Sequence, residues 1–119
     1  MSEIRRTGPP TPRDIKGRIV TWTVPINASP PKAWLEYFVR TKDQSILCNP
    51  DRVRFYLGTM IFDSEEANVR DWIEFIEKWI ASANLRYAEQ LRQEEAARQA
   101  QAADPAQRLR ELEQRFKNL

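Results

Sequence analysis

Histidine is absent from the 119 residues. Its absence removes the usual general base at neutral pH, every Ser-His or Cys-His nucleophile pair and all His-containing metal sites. The single cysteine, Cys48, precludes an intrachain disulfide and a zinc site built from several thiolates. With no histidine to draw its proton, and only Arg52 or Arg54 near it in sequence, Cys48 reads as a buried inert thiol. The three glycines, Gly8, Gly17 and Gly58, lie far apart and none opens a helix, so a phosphate-cradling loop is excluded. No apolar run approaches the ~20 residues that cross a bilayer, and the opening MSEIRRTGPPTPRDIKGR has no apolar signal segment. An excess of one charge is also missing: 19 basic and 17 acidic residues leave +2, too little for a global nucleic-acid footprint. The expectation is a soluble cytoplasmic chain with no catalytic residue, metal or cofactor and no membrane association.

What is present is a phrase spoken twice. Residues 21–38 read TWTVPINASPPKAWLEYF and residues 59–76 read TMIFDSEEANVRDWIEFI. Each joins an apolar extended run to a polar cap and a helical stretch, and Trp34-Leu35-Glu36-Tyr37 falls on Trp72-Ile73-Glu74-Phe75. Strand then helix, twice, predicts an α+β fold: a small two-to-three-stranded sheet in βαβα order, packed by two Trp-anchored helices. Val20, Trp22, Val24 and Ile26 alternate with Ile19, Thr21 and Thr23, the pattern of a half-buried strand. Ser29 is placed to cap the first helix with Pro30 at its first position, and Trp34, Leu35 and Phe38 share one face up to about Arg40.

Residues 52–62 predict the second strong strand, bent at Gly58 and long enough to expose an edge for pairing. Asp63 and Glu66 are spaced as a capping box for the second helix, whose apolar stripe is Val69, Trp72, Ile73, Ile76, Ile80 and Ala83, widened by Phe75 and Trp79. Beyond Asn84 the stripe thins to Tyr87 and Leu91, and the rest of the tract is helix-forming by propensity alone. Asp104-Pro105-Ala106-Gln107 starts a third helix with a seam of Leu109, Leu112, Phe116 and Leu119 at heptad-like spacing. The predicted organisation is a flexible, basic, Pro-rich arm over 1–17, an α+β core over 18–83, and a helical extension or hairpin over 84–119.

The segment VPINASPPKAWLEYF, 24–38, resembles the opening strand and helix of the START-like ligand-binding fold. That fold next requires a long antiparallel meander, and only residues 41–62 are available for it, so the likeness reduces to shared strand-to-helix grammar.

Three function classes survive. A non-catalytic protein-interaction module, binding itself as a homodimer or another protein, would use Trp79, Tyr87, Leu91, Leu109, Leu112, Phe116 and Leu119, with the exposed strand edge as an accessory surface. A small-ligand carrier would line its pocket with Trp34, Trp72 and Phe75. A nucleic-acid binder would use Arg5, Arg6 and Arg13 of the arm with Arg52, Arg54 and Arg70. The carboxylates Asp63, Glu65 and Glu66 read as helix-start residues rather than cation ligands.

Overall fold

The computed structural model describes residues 3–101 and 105–119. The fold is α+β, as expected, but its sheet has four strands, all paired antiparallel, and a ββαββα order ahead of the last helix. They are β1 (Thr11–Lys16), β2 (Ile19–Pro25), β3 (Arg54–Tyr56) and β4 (Thr59–Ser64), arranged β1-β2-β4-β3. The helices are α1 (Lys32–Val39), α2 (Val69–Gln101) and α3 (Pro105–Arg115). The chain divides between Tyr87 and Ala88 into two units.

Two of the strands were not foreseen, and each has a local cause. The predicted arm contributes β1, because Gly17 adopts φ +63, a conformation open to glycine at little cost, and with Arg18 folds residues 11–16 back onto β2. Upstream, the arm is anchored as well: Ile4 is buried, Arg6 bridges to Ile26, and the Asn27 side chain bonds the backbone of Glu3 and Arg5. The composition of 1–17 hides this, since one isoleucine and distant asparagine side chains do the anchoring. The predicted long strand over 52–62 is in fact the β3–β4 hairpin, turning at Leu57-Gly58. Leu57 takes φ +54 there, a left-handed conformation that costs a non-glycine residue about 1–2 kcal/mol.

The first two of the three predicted helix caps are also displaced. Pro30 precedes Pro31, whose ring disfavours α backbone at the residue before it, so α1 begins at Lys32 with Pro31 as an N-cap that makes no side-chain bond. Asp63 and Ser64 remain in β4, paired with Thr21 and Val20, and a 3₁₀ turn over Glu66–Asn68 leads into α2. Asp104 lies outside the described residues, while Pro105 stands at the first position of α3 as expected.

One face of the sheet carries the core. Cross-strand partners share a face, so Val24, Met60 and Phe55 form one row and Trp22 with Phe62 the next. Against these rows pack Trp34 and Phe38 of α1 and the predicted α2 stripe, with Trp72, Ile76, Trp79, Ile80 and Ala83 buried. Phe62 stacks on Trp72 at 5.1 Å, and Phe38 meets Phe55 at 5.1 Å and Trp79 at 5.6 Å, both edge to face. Such aromatic contacts add to the apolar area removed from water. Asn84 ties α2 to the N-terminal segment and to α1. Its Oδ1 accepts from the Ile4 amide at 3.0 Å and from Trp34 Nε1 at 2.9 Å, and its Nδ2 donates to the Ile4 carbonyl at 2.8 Å.

Candidate functional site

The seam that begins on α3 is an exposed row of apolar side chains. Pro105 sets the helical φ at the start, and residues 109, 112 and 116 then recur at intervals of three and four, on one side of a 3.6-residue helix. The Phe116 amide still bonds the Leu112 carbonyl at 3.2 Å and the Leu119 amide bonds the Phe116 carbonyl at 3.2 Å, so the seam continues through a final turn. Leu109 is 67% exposed, Phe116 53% and Leu119 99%, with Leu112 half-buried. Beyond its first turn the rest of α3 is charged except for Gln114, and no ion pair engages its arginines or glutamates among the described residues.

The distal part of α2 differs. Its surface charges are matched along the helix itself: Glu89 pairs with Arg92, Glu95 pairs with Arg98 at 3.2 Å, and the Gln90 amide donates to Glu94 at 2.9 Å. Pairs spaced by three and four residues stabilise a solvated helix, which explains how this stretch stays helical with Leu91 as its last large apolar residue. Tyr87 is half-buried against the core. Trp79 is fully buried and its indole N–H donates to the Asp43 carbonyl, so it belongs to the core and is withdrawn from the interaction surface proposed for it by sequence.

The Trp-lined pocket is likewise filled. Trp34 and Trp72 are buried to within 2% of complete, and Phe38, Phe62 and Trp79 occupy the space around them. Phe75, half-buried, lies 5.7 Å from Trp79 and takes Lys78 Nζ 5.5 Å above its ring. An open cleft of ≈ 440 Å³ lies elsewhere, where the core face of the sheet runs past the helices: Pro12, Ile15, Val20 and Trp22 floor it, with Arg13, Asp14 and Glu66 at its rim. Sequence reasoning missed this cleft because β1 was read as an unstructured arm. The available signal was Ile15 and Val20 flanking the Gly17-Arg18 turn.

The opposite face of the sheet gathers part of the basic set. Arg13 Nε donates to Thr23 Oγ1 at 3.0 Å, Thr23 pairs with Ile61, and Ile61 pairs with Arg54, which places both arginines on one face. Three strand spacings separate β1 from β3, about 14 Å. Tyr56, 69% exposed, stands on the same face. Arg54 is shared with Asp63 at 3.2 Å. The Thr21 hydroxyl, donating at 2.7 Å, and then Arg54 hold the Asp63 carboxyl below its usual range. Arg52 is exposed in the 3₁₀ turn before β3, whereas Arg5 lies on the N-terminal segment and Arg6 is committed to Glu77 at 2.7 Å. Arg70 is exposed at the start of α2.

Two smaller candidates lose their chemistry. Burial pushes the Cys48 thiol up, and its amide is held by Ser45 Oγ at 2.9 Å, leaving a thiol with little nucleophilic character. The edge predicted from residues 52–62 is reduced to β3, three residues long, because the run folds into the β3–β4 hairpin, and β1 at the other edge is interrupted by Pro12, which lacks an amide, and by an irregular register between Pro12 and Asp14, so both are poor templates for an added strand. Among the described residues, no group of three or more Cys, Asp and Glu side chains is gathered as a metal site, and no helix is long and apolar enough to cross a membrane. Compared with protein-family models, curated proteins and solved structures, the chain matches none.

Proposed function

We propose that this chain is a non-catalytic protein-interaction module, a small accessory, adaptor or regulatory protein of the cytoplasm that docks through its C-terminal helix. The observation that carries the reading is the seam of Leu109 and Leu112 on α3, continued by Phe116 and Leu119 in the turn that follows, three of the four more than half exposed beside mostly polar and charged residues. An amphipathic helix of this kind gains by laying its apolar side against another surface. A cytoplasmic setting suits a chain whose single cysteine is buried as a free thiol. The test compares the intact chain with Leu109→Asp/Phe116→Asp, by light-scattering mass and by affinity capture. The reading expects wild type to self-associate or retain a protein and the variant to do neither; indistinguishable behaviour refutes it.

A second reading rests on the open sheet face. Arg13 and Arg54 about 14 Å apart with Tyr56 beside them suit a single strand of nucleic acid, phosphates on the guanidiniums and a base on the phenol ring. Under it, retention of the chain on single-stranded DNA or RNA falls with salt and falls further in Arg13→Ala/Arg54→Ala. Equal retention of wild type and variant removes this reading.

A further inference from the structure

From the charges beside the α3 seam we infer that its occupant is a second copy of the same helix, lying parallel and in register. The inference rests on the reading of α3 as an interaction surface and adds its partner and orientation. With Leu109 at a and Leu112 at d of a heptad on α3, and Phe116 at the next a just past its last residue, the flanking g positions are Arg108 and Arg115 and the e position between them is Glu113. In a parallel, in-register pair, a g residue faces the e residue five places further along the partner helix, so Arg108 of each copy meets Glu113 of the other. Two opposite-charge contacts form by symmetry.

An antiparallel pair sets g against g and e against e. It would place arginine against arginine on one side of the seam and Glu113 against Glu113 on the other, and such juxtapositions select against that orientation. Glu113 is also the only acid at a seam-flanking position of α3. Its fellow acid Glu111 sits at c, away from the seam, so the complementary pattern is confined to where a partner helix would lie.

The state of these charges in the chain supports the assignment. Arg108 and Glu113 take part in no ion pair among the described residues, while Glu89, Arg92, Glu95 and Arg98 of α2 are paired within their own helix. Both seam-flanking charges are exposed and available. Leu109 and Leu112 of each helix, with Phe116 just past its end, make a small interface, so the association is weak, with a dissociation constant of about 10–500 µM.

Sedimentation of the full-length chain across that range gives the first arm of the test. A reversible monomer–dimer equilibrium is expected. Glu113→Arg and Arg108→Glu, each turning both symmetric contacts repulsive, weaken it about fivefold or more. The double exchange Arg108→Glu/Glu113→Arg restores it, a rescue that damage to the helix would not give. Orientation is read by mild oxidation of Leu112→Cys, with Cys48 left buried in place. A parallel in-register pair joins Cys to Cys at that one position, whereas an antiparallel pair leaves it reduced and instead joins a mixture of Leu112→Cys and Phe116→Cys chains. A chain monomeric throughout overturns the second copy as occupant and leaves the seam to a foreign partner. A dimer with the antiparallel crosslink, or without charge rescue, overturns the parallel register. A dimer unchanged by Leu109→Asp/Phe116→Asp overturns α3 as the interaction surface altogether.

Discussion

Replacing Asn84 with alanine removes one side chain and strands three polar groups on two other segments. The Ile4 amide, the Ile4 carbonyl and Trp34 Nε1 all bond to Asn84, at 3.0, 2.8 and 2.9 Å, and each is part-buried. A buried polar group left without a partner costs about 1–3 kcal/mol. The cleft lined by Ile4, Ala81, Asn84 and Leu85 admits water to this region, which puts each cost near the low end. The sum is about 3 kcal/mol, or a fall in melting temperature of roughly 12–24 °C for a unit of this size. Urea unfolding followed by tryptophan emission measures it, because Trp22, Trp34, Trp72 and Trp79 all lie before Tyr87 in the α+β unit. Asn84→Asp keeps an acceptor for the two donors but sets a carboxylate oxygen against the Ile4 carbonyl, so it should be destabilised as well. Amide exchange at Thr7 and Asn27, which bond Pro25 and Arg5 across the same junction, should quicken alongside. An Asn84→Ala chain within about 0.5 kcal/mol of wild type would refute the claim that this side chain holds the N-terminal segment in the fold.

Other perturbations separate effects that the fold combines. Leu57→Gly relieves the φ +54 turn and should stabilise the chain by about 0.5–1 kcal/mol in the same urea assay, whereas a loss of stability would show that the leucine side chain is needed there. Trp34→Phe should cost about 1–2 kcal/mol more than Trp72→Phe, since the Trp34 indole bonds Asn84 while the buried Trp72 Nε1 has no partner among the described residues; equal costs would contradict this. Asp63 has a depressed pKa, so its contribution is present above its ordinary value of 3.8 and is lost as pH falls through the lower folded value. Acid unfolding of Asp63→Asn should therefore show a shallower decline below about pH 4 than wild type, and identical slopes would remove Asp63 as a contributor. Cys48 is raised above its ordinary 9.0, so its contribution is full below that pH and is lost as pH rises through the folded value. Its thiol should react with a disulfide reagent only after urea unfolding, and ready reaction of the folded chain would contradict its burial.

Legibility from sequence followed the range of the interaction responsible. The α2 stripe from Val69 to Ala83 was readable because the 3.6-residue period is local, and every member of it is buried or packed on the core. The alternation of Val20, Trp22, Val24 and Ile26 was readable for the same reason. The anchoring of the N-terminal segment was not, because it rests on Asn27 and Asn84, 22 and 80 positions away from their partners, and on polar bonds that leave no periodic trace. Steric effects between neighbours moved the boundaries: Pro31 delayed α1, and pairing with β2 held Asp63 and Ser64 in a strand instead of a cap. At the candidate site the start of α3 at Pro105 was legible, while the helix ends at Arg115, so Phe116 and Leu119 of the predicted seam follow its last residue. The two tryptophans of the repeated phrase proved to be core wedges, and Trp79 proved to be a third.

Amide hydrogen exchange at low and high protein concentration tests the central claim most directly. If α3 is the interaction surface and a second copy its partner, amides from Leu109 to Phe116 gain protection as concentration rises, because a short isolated helix frays and a paired one does not. Those of β2, β4 and the first part of α2 should exchange at the same rate throughout. Protection in α3 that is independent of concentration, or a concentration-dependent change confined to the sheet, would contradict the account.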